Sequence, residues 1–260
     1  MSRTLRHQCP AFIIMTEKLK KIFYLLFIGT LFLSAGKKYP EWFLFPEKYP
    51  QIVTGYNYCG SDILTDAAVN YTVLNHSIIE GSLHLFSDTE KRLSDYFYYY
   101  DKDFYRRACD SLKYLDSYVI NTLPVDIIAA YSMYDDTLVS KLIDIDTLSR
   151  PDWTAKNYFM DETFYYGVGV YTAIGNDVDA WKTAEEHSLF ALVTGYRTNI
   201  KSIKKYYKSE FGDCFSKMLS ISCKYSLKNV NICQRYHDYK YNLFFVLTKT
   251  RKSNIKMTYY

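Results

Sequence analysis

Two stretches of this chain read alike. Pro40-Glu41-Trp42 recurs as Pro151-Asp152-Trp153, Gly55 recurs as Gly169 after an aromatic run, and Asp66-Ala67 recurs as Asp179-Ala180. The offsets are 111, 114 and 113 residues, so the register drifts only by short loop changes. The closing runs beginning at Tyr131 and Tyr236 align at an offset of 105. Self-similarity at this period predicts two copies of one small domain rather than a solenoid. The copies are assigned to residues 37–148 and 149–260.

Each copy carries the same order of signals. An apolar strand follows the Trp, at Ile52–Tyr58 and at Phe164–Thr172. A helix comes next. In the first copy Ala67, Tyr71, Leu74 and Ile78 recur at helical spacing, with Gly81 as the expected C-cap. In the second, Trp181, Ala184, Ser188, Ala191 and Gly195 form one narrow face behind Asn176 or Asp177 as N-cap. Four small residues on that face let a helix lie close on a sheet. Further strands are expected at 82–87, 96–104 and 199–207, and second helices at Asp110–Leu123 and Cys214–Leu227. The wholly apolar run Leu243–Leu247 belongs inside a sheet. The fold class is therefore α+β: two tandem small domains, each a mostly antiparallel sheet packed with two helices. A content of 18% aromatic residues, with 28 Tyr, suits a folded, strand-rich chain.

Residues 1–36 read as a signal peptide. Lys18, Lys20 and Lys21 precede the apolar run Ile22–Leu33, and Ser34-Ala35-Gly36 supplies small residues for cleavage. Met15 is an alternative start, and an uncleaved anchor is the alternative reading of the segment. The run is short for a membrane span of about 20 residues. Removing these 36 residues leaves 27 basic and 27 acidic residues. The apparent basicity is thus an export signal and gives no argument for nucleic-acid binding. Five cysteines remain, an odd number with no CxxC spacing, so at least one thiol stays free. Free buried thiols and a disulfide both remain open for the others.

Gly167-Val168-Gly169 raises the question of a phosphate cradle. A dinucleotide fingerprint needs three glycines between a strand and its helix. Here the first two fall inside the strand pattern, and the first copy keeps only Gly55. Glycine inside a strand marks a bulge or a close approach of another backbone. Gly55, Gly167 and Gly169 are therefore expected to seat helices, and Trp42, Trp153 and Trp181 to plug cores.

The Pro-x-Trp pair, the run Tyr165–Val170, the helix from Asp179 and the closing run Asn242–Thr250 together resemble the LPP-twenty lipoprotein family of bacterial envelope proteins. The second copy carries the resemblance from Pro151 to about Arg251, and the first copy is a degenerate version. The resemblance implies a small α+β domain, a place in the cell envelope and no catalytic residues. The chain departs from the family at Lys37, which stands where the lipidated Cys is required. Membrane association remains open, but not through that lipid.

Little else points to chemistry. The histidines lack zinc spacing, and no HExxH or Gly-x-Ser-x-Gly occurs. Glu185-Glu186-His187 reads as a solvated face. Asp177 and Asp179 suit the first turn of a helix. The Tyr-rich run Asp95–Phe104 reads as a sheet strand, with glycan stacking as the alternative. No enzyme activity, cofactor or metal is expected. Charge is the strongest remaining signal. Residues 37–148 hold 10 basic and 17 acidic residues, and residues 149–260 hold 17 basic and 10 acidic. Lys201, Lys204, Lys205 and Lys208 form the densest basic stretch, an expected interaction face. The opposed charges fit complementarity between the two copies or between neighbouring molecules. The function expected from these readings is a non-catalytic, exported protein of the periplasm or outer membrane, with envelope proteins or further copies of itself as partners. The alternative is a periplasmic binding module for a glycan or anionic polymer.

Overall fold

Each half opens on a proline that leads into a helical turn. Pro40 (φ −60°) precedes the short helix α1, Glu41–Leu44, and Pro151 (φ −70°) precedes a 3-10 turn, Asp152–Ala155. The pyrrolidine ring holds φ near −65°, which suits chain entry into a helix. The computed structural model describes residues 37–57, 62–86, 90–122, 125–173, 176–198 and 219–259. The signal-like segment, residues 1–36, lies outside the described residues.

The first half runs β1 (Lys38–Pro40), α1, β2 (Val53–Asn57), α2 (Ile63–Asn75), β3 (His76–Phe86), β4 (Glu90–Tyr100), α3 (Lys102–Ser111), β5 (Lys113–Thr122), β6 (Val125–Ser132) and β7 (Leu142–Asp144). The second runs β8 (Tyr158–Met160), β9 (Phe164–Thr172), α4 (Asp177–Thr198), β10 (Leu219–Lys228), β11 (Asn231–Asp238), β12 (Leu243–Arg251) and β13 (Ile255–Tyr259). Short polar side chains start the three long helices. Asp62 accepts from Leu64 N and Thr65 N, Asp101 from Asp103 N and Phe104 N, and Asn176 from Asp179 N. These bonds satisfy amides that a helix leaves unpaired at its first turn.

The fold is α+β with antiparallel sheets. Three strands of the first half form a sheet in the order β2-β6-β5, and four of the second form one in the order β11-β12-β9-β8. In both, the strand before the long helix lies beside the last strand of the pair that closes the half, and β11-β12-β9 reproduces β5-β6-β2. A third sheet, β13-β10-β3-β4, draws two strands from each half, with β3 and β10 paired at its centre. A small β1-β7 ladder completes the set.

The halves share their interior. One cluster of buried residues combines Tyr39, Trp42, Phe43, Leu44, Tyr56 and Ile128 from the first half with Val178, Trp181, Ala184, Phe244 and Val246 from the second. Lys38–Tyr260 forms one compact unit, so the boundary near residue 148 is not a gap in packing.

Several expected elements fall elsewhere. The helix expected at Asp110–Leu123 is α3 and then β5. Asp101 caps the helix early, and Lys113–Thr122 pairs with β6 through two register shifts. The helix expected at Cys214–Leu227 is strand β10 from Leu219 onward, and 214–218 lie outside the described residues. β10 is paired on both sides, by β3 and β13, and its apolar residues Leu219, Ile221, Cys223, Tyr225 and Leu227 alternate with Ser and Lys as a strand requires. Gly81 is no helix cap: α2 ends at Asn75, and Gly81 sits within β3 opposite Cys223. The strand expected at 199–207 also lies outside the described residues. The alignment of Tyr131 with Tyr236 is off by one strand, because Tyr131 lies on β6 and Tyr236 on β11, while the counterpart of β6 is β12. The run Leu243–Leu247 does lie inside its sheet, between β11 and β9.

Candidate functional site

The most polar part of the interior lies where the two halves meet. Arg235, on β11, is fully buried. Its Nε and Nη2 donate to Glu185 Oε1 on α4 at 2.8 and 2.6 Å. Its Nη1 donates to the Phe43 carbonyl at 2.6 Å, and Nη2 reaches Thr54 Oγ1 at 3.3 Å. The guanidinium lies 4.3 Å from the centre of the Phe43 ring. Tyr56, from β2, donates its hydroxyl to the same Glu185 oxygen. Burial, first of all, drives the Tyr56 hydroxyl pKa well up, so the group stays a neutral donor. Arg235 thus ties α1, β2, β11 and α4 together. The planar guanidinium fork suits several acceptors at once.

A second set of bonds runs beside it. Asp66, on α2, accepts Tyr56 N at 2.9 Å and Asn70 Nδ2 at 3.1 Å, and forms an ion pair with Lys182 of α4. Asn70 Nδ2 also donates to the Thr54 carbonyl at 3.0 Å. Tyr98 of β4 donates to Glu186 Oε1 at 3.1 Å. Burial raises the Glu186 carboxyl above its ordinary range, against the pull of Tyr98 and Lys182. A cleft of about 50 Å³ opens between these groups, walled by aliphatic side chains of α2 and α4.

The glycines sit where two backbones touch. A Cβ on Gly169 would stand 1.8 Å from the Ala184 carbonyl oxygen, and one on Gly167 would stand 2.1 Å from that of Ser188. A Cβ on Gly55 would stand 2.6 Å from the Ile63 carbonyl oxygen. All three face helices. Trp42 and Trp181 are fully buried, and Trp181 packs edge-on against Tyr39, Phe43 and Phe244. Trp153 is half-buried on the second sheet, where its Nε1 donates to Gln234 at 3.0 Å and its ring meets Phe245. Lys201, Lys204, Lys205 and Lys208 lie outside the described residues.

Glu185-Glu186-His187 is not a solvated face. Glu185 turns to Arg235 and Glu186 to Tyr98, and only His187 is exposed, with Nδ1 2.8 Å from the Val170 carbonyl. The polar centre was missed because Glu185 was counted with its neighbours. Val178, Trp181, Glu185, Ser188 and Leu192 follow three- and four-residue steps, which place Glu185 on the buried stripe. Arg235 shares its face of β11 with His237 and, across the register shift at Cys233, with Ile232, whereas Cys233 and Tyr236 pack on the other face. Cys109 and Cys233 are free thiols, and burial pushes the Cys233 thiol up to about 12, which makes it a poor nucleophile.

Among the described residues, no group of three or more His, Cys, Asp and Glu side chains is placed to hold a metal. Among them, too, no helix is long and apolar enough to cross a membrane. No protein-family model, no curated protein and no solved structure matches the chain.

Proposed function

We propose that the protein is a non-catalytic, exported component of the bacterial cell envelope with an assembly or structural role. One observation carries the reading. Among the described residues, three ion pairs cross between the two halves, each with the acid from the first half and the base from the second. Asp66 pairs with Lys182, Glu80 with Lys224 and Glu47 with Lys249. Such pairing follows the charge asymmetry of the sequence and suits a rigid double unit that presents surfaces to partners. The resemblance of its second half to the LPP-twenty family and the signal-like segment support the envelope as its place. The basic run around Lys201–Lys208 is the proposed face for a neighbouring envelope protein or a second copy.

Two measurements test this. Expression of the whole chain in a bacterial host, followed by N-terminal sequencing of the envelope fraction, is expected to find a chain starting at Lys37. A cytoplasmic chain retaining Met1 or Met15 overturns export. Light scattering at about 20 mM and 300 mM salt tests association, because the screening length falls from well above ~10 Å to below ~8 Å between them. Association that weakens with salt, and with Lys201→Glu, Lys204→Glu, Lys205→Glu and Lys208→Glu combined, is expected. Indifference to both removes the charge-led assembly.

The cleft beside Glu186 favours a second reading, a periplasmic binding module. The Tyr-rich strand β4 reaches the cleft through Tyr98, whose ring offers a face for a sugar to stack on.

A further inference from the structure

The cleft between α2, β4 and α4 has an imbalance of hydrogen-bonding groups. Glu186 Oε1 accepts from Tyr98, while Oε2 has no hydrogen bond among the described residues. Glu185 takes Arg235 and Tyr56 on Oε1 alone, which leaves its Oε2 without a donor among them. Asn70 uses Nδ2 on Thr54 and Asp66, and its Oδ1 accepts nothing among them. All three side chains line the same cleft. The charges are also uneven. Lys182 is matched by Asp66 and Glu185 by Arg235, whereas Glu186 forms no ion pair among the described residues.

We propose that this cleft binds a small primary ammonium group carried on a short aliphatic chain. An ammonium offers three N–H donors and no acceptor, the complement of three unused acceptor atoms. Its positive charge supplies the partner that Glu186 lacks. Val73 and Leu189 in the lining suit a hydrocarbon chain. A space of about 50 Å³ holds only a few water-sized groups, so the occupant is small. Those aliphatic walls disfavour a hydrated inorganic cation, which needs oxygen ligands on most sides. Burial already disfavours the ionised form of Glu186, and a bound ammonium reverses that preference. The inference stands apart from the assembly reading, since a scaffold can carry a ligand.

The test is calorimetric titration of the full chain near neutral pH with n-butylammonium chloride, 1-butanol and potassium chloride. Saturable one-to-one binding is expected for n-butylammonium alone. Glu186→Gln keeps the side-chain shape and is expected to weaken it by about tenfold or more, the size of a lost charge-assisted hydrogen bond. Carboxyl NMR of the unmodified protein supplies a readout that needs no variant. The Glu186 carboxyl is expected to titrate at lower pH when n-butylammonium is added. The proposal is overturned by absence of saturable binding, by equal binding of 1-butanol, by displacement with equimolar potassium, or by an unmoved Glu186 titration.

Discussion

The two halves solve one packing problem with different numbers of glycines. In the first, β2 meets α2 at Gly55, whose missing Cβ leaves 2.6 Å to the Ile63 carbonyl oxygen. In the second, β9 meets α4 at two points, Gly167 against Ser188 and Leu192, and Gly169 against Ala184 and Ser188. The spacing has a geometric cause. Two strand residues advance about 6.7 Å and four helical residues about 6 Å, so a helix running antiparallel along a strand meets alternate residues with successive turns. The 13-residue α2 approaches at one point, whereas the 22-residue α4 runs along its strand and needs both clearances. The longer helix also carries Lys182, Glu185 and Glu186, through which the second half grips the first. The halves therefore differ in role: the second supplies the spine and the first closes over it.

The largest test of that division is Glu185→Ala. The substitution leaves the Arg235 guanidinium buried with no carboxylate, a loss of about 3–5 kcal/mol. Chemical unfolding is expected to show this as a drop in stability with both halves melting together, since they share a core. Joint replacement with Glu185→Leu and Arg235→Met is expected to recover much of the loss, because an apolar pair needs no desolvated partner. A loss below about 1 kcal/mol for Glu185→Ala, the size of an exposed pair, would demote Arg235 to an incidental contact.

Legibility followed the same contrast. Elements marked by local chemistry could be read: the capped start of α4, the strand Phe164–Thr172 and the internal apolar strand β12 all lie where their residues indicate. Elements decided by distant pairing could not. Leu112, Leu115 and Val119 recur at helical steps, yet Lys113–Thr122 becomes a strand because β6 offers its edge. Leu219–Lys228 differs: its apolar residues alternate with Ser and Lys, a strand period legible in the sequence itself and contrary to the helix expected there. The polar centre escaped for a related reason. Arg235 and Glu185 are 50 residues apart, and neither looks unusual until strand and helix faces are laid together. The glycines were legible in kind, since a glycine inside a strand asks what approaches it.

The next test separates the glycine seats. Gly169→Ala places a methyl 1.8 Å from a backbone oxygen, and a carbonyl in mid-helix cannot turn aside. Overpacking of this type costs about 1–3 kcal/mol, and the upper end is expected here. Gly55→Ala meets its oxygen at 2.6 Å, near the first turn of a shorter helix, and the lower end is expected. Equal losses at the two sites, measured by thermal unfolding, would show that both helices shift as easily and that α4 is no stiffer a spine than α2.

The smallest effects belong to the ion pairs that cross between halves, and their ranking is what matters. Glu47–Lys249 joins a carboxylate whose side chain is 58% exposed to a lysine 20% exposed. Exposed pairs of this kind contribute only about 0–1 kcal/mol, because water and salt screen both partners. Glu80–Lys224, at 2.7 Å, has exposures of 35% and 33% and should rank somewhat above it. Asp66–Lys182 should rank highest, since Asp66 is only 9% exposed and also holds the Tyr56 amide. Double-mutant cycles to Ala isolate the coupling in each pair from the packing that each side chain also loses. Repeating the cycles at high salt should erase the Glu47–Lys249 coupling first and the Asp66–Lys182 coupling least, as burial protects a pair from screening. A coupling for Glu47–Lys249 as large as that for Asp66–Lys182 would mean that long-range attraction between an acidic and a basic half holds the unit together. The expected ranking places the grip in α4, with the overall charge asymmetry adding little within one molecule and leaving it free to act between molecules.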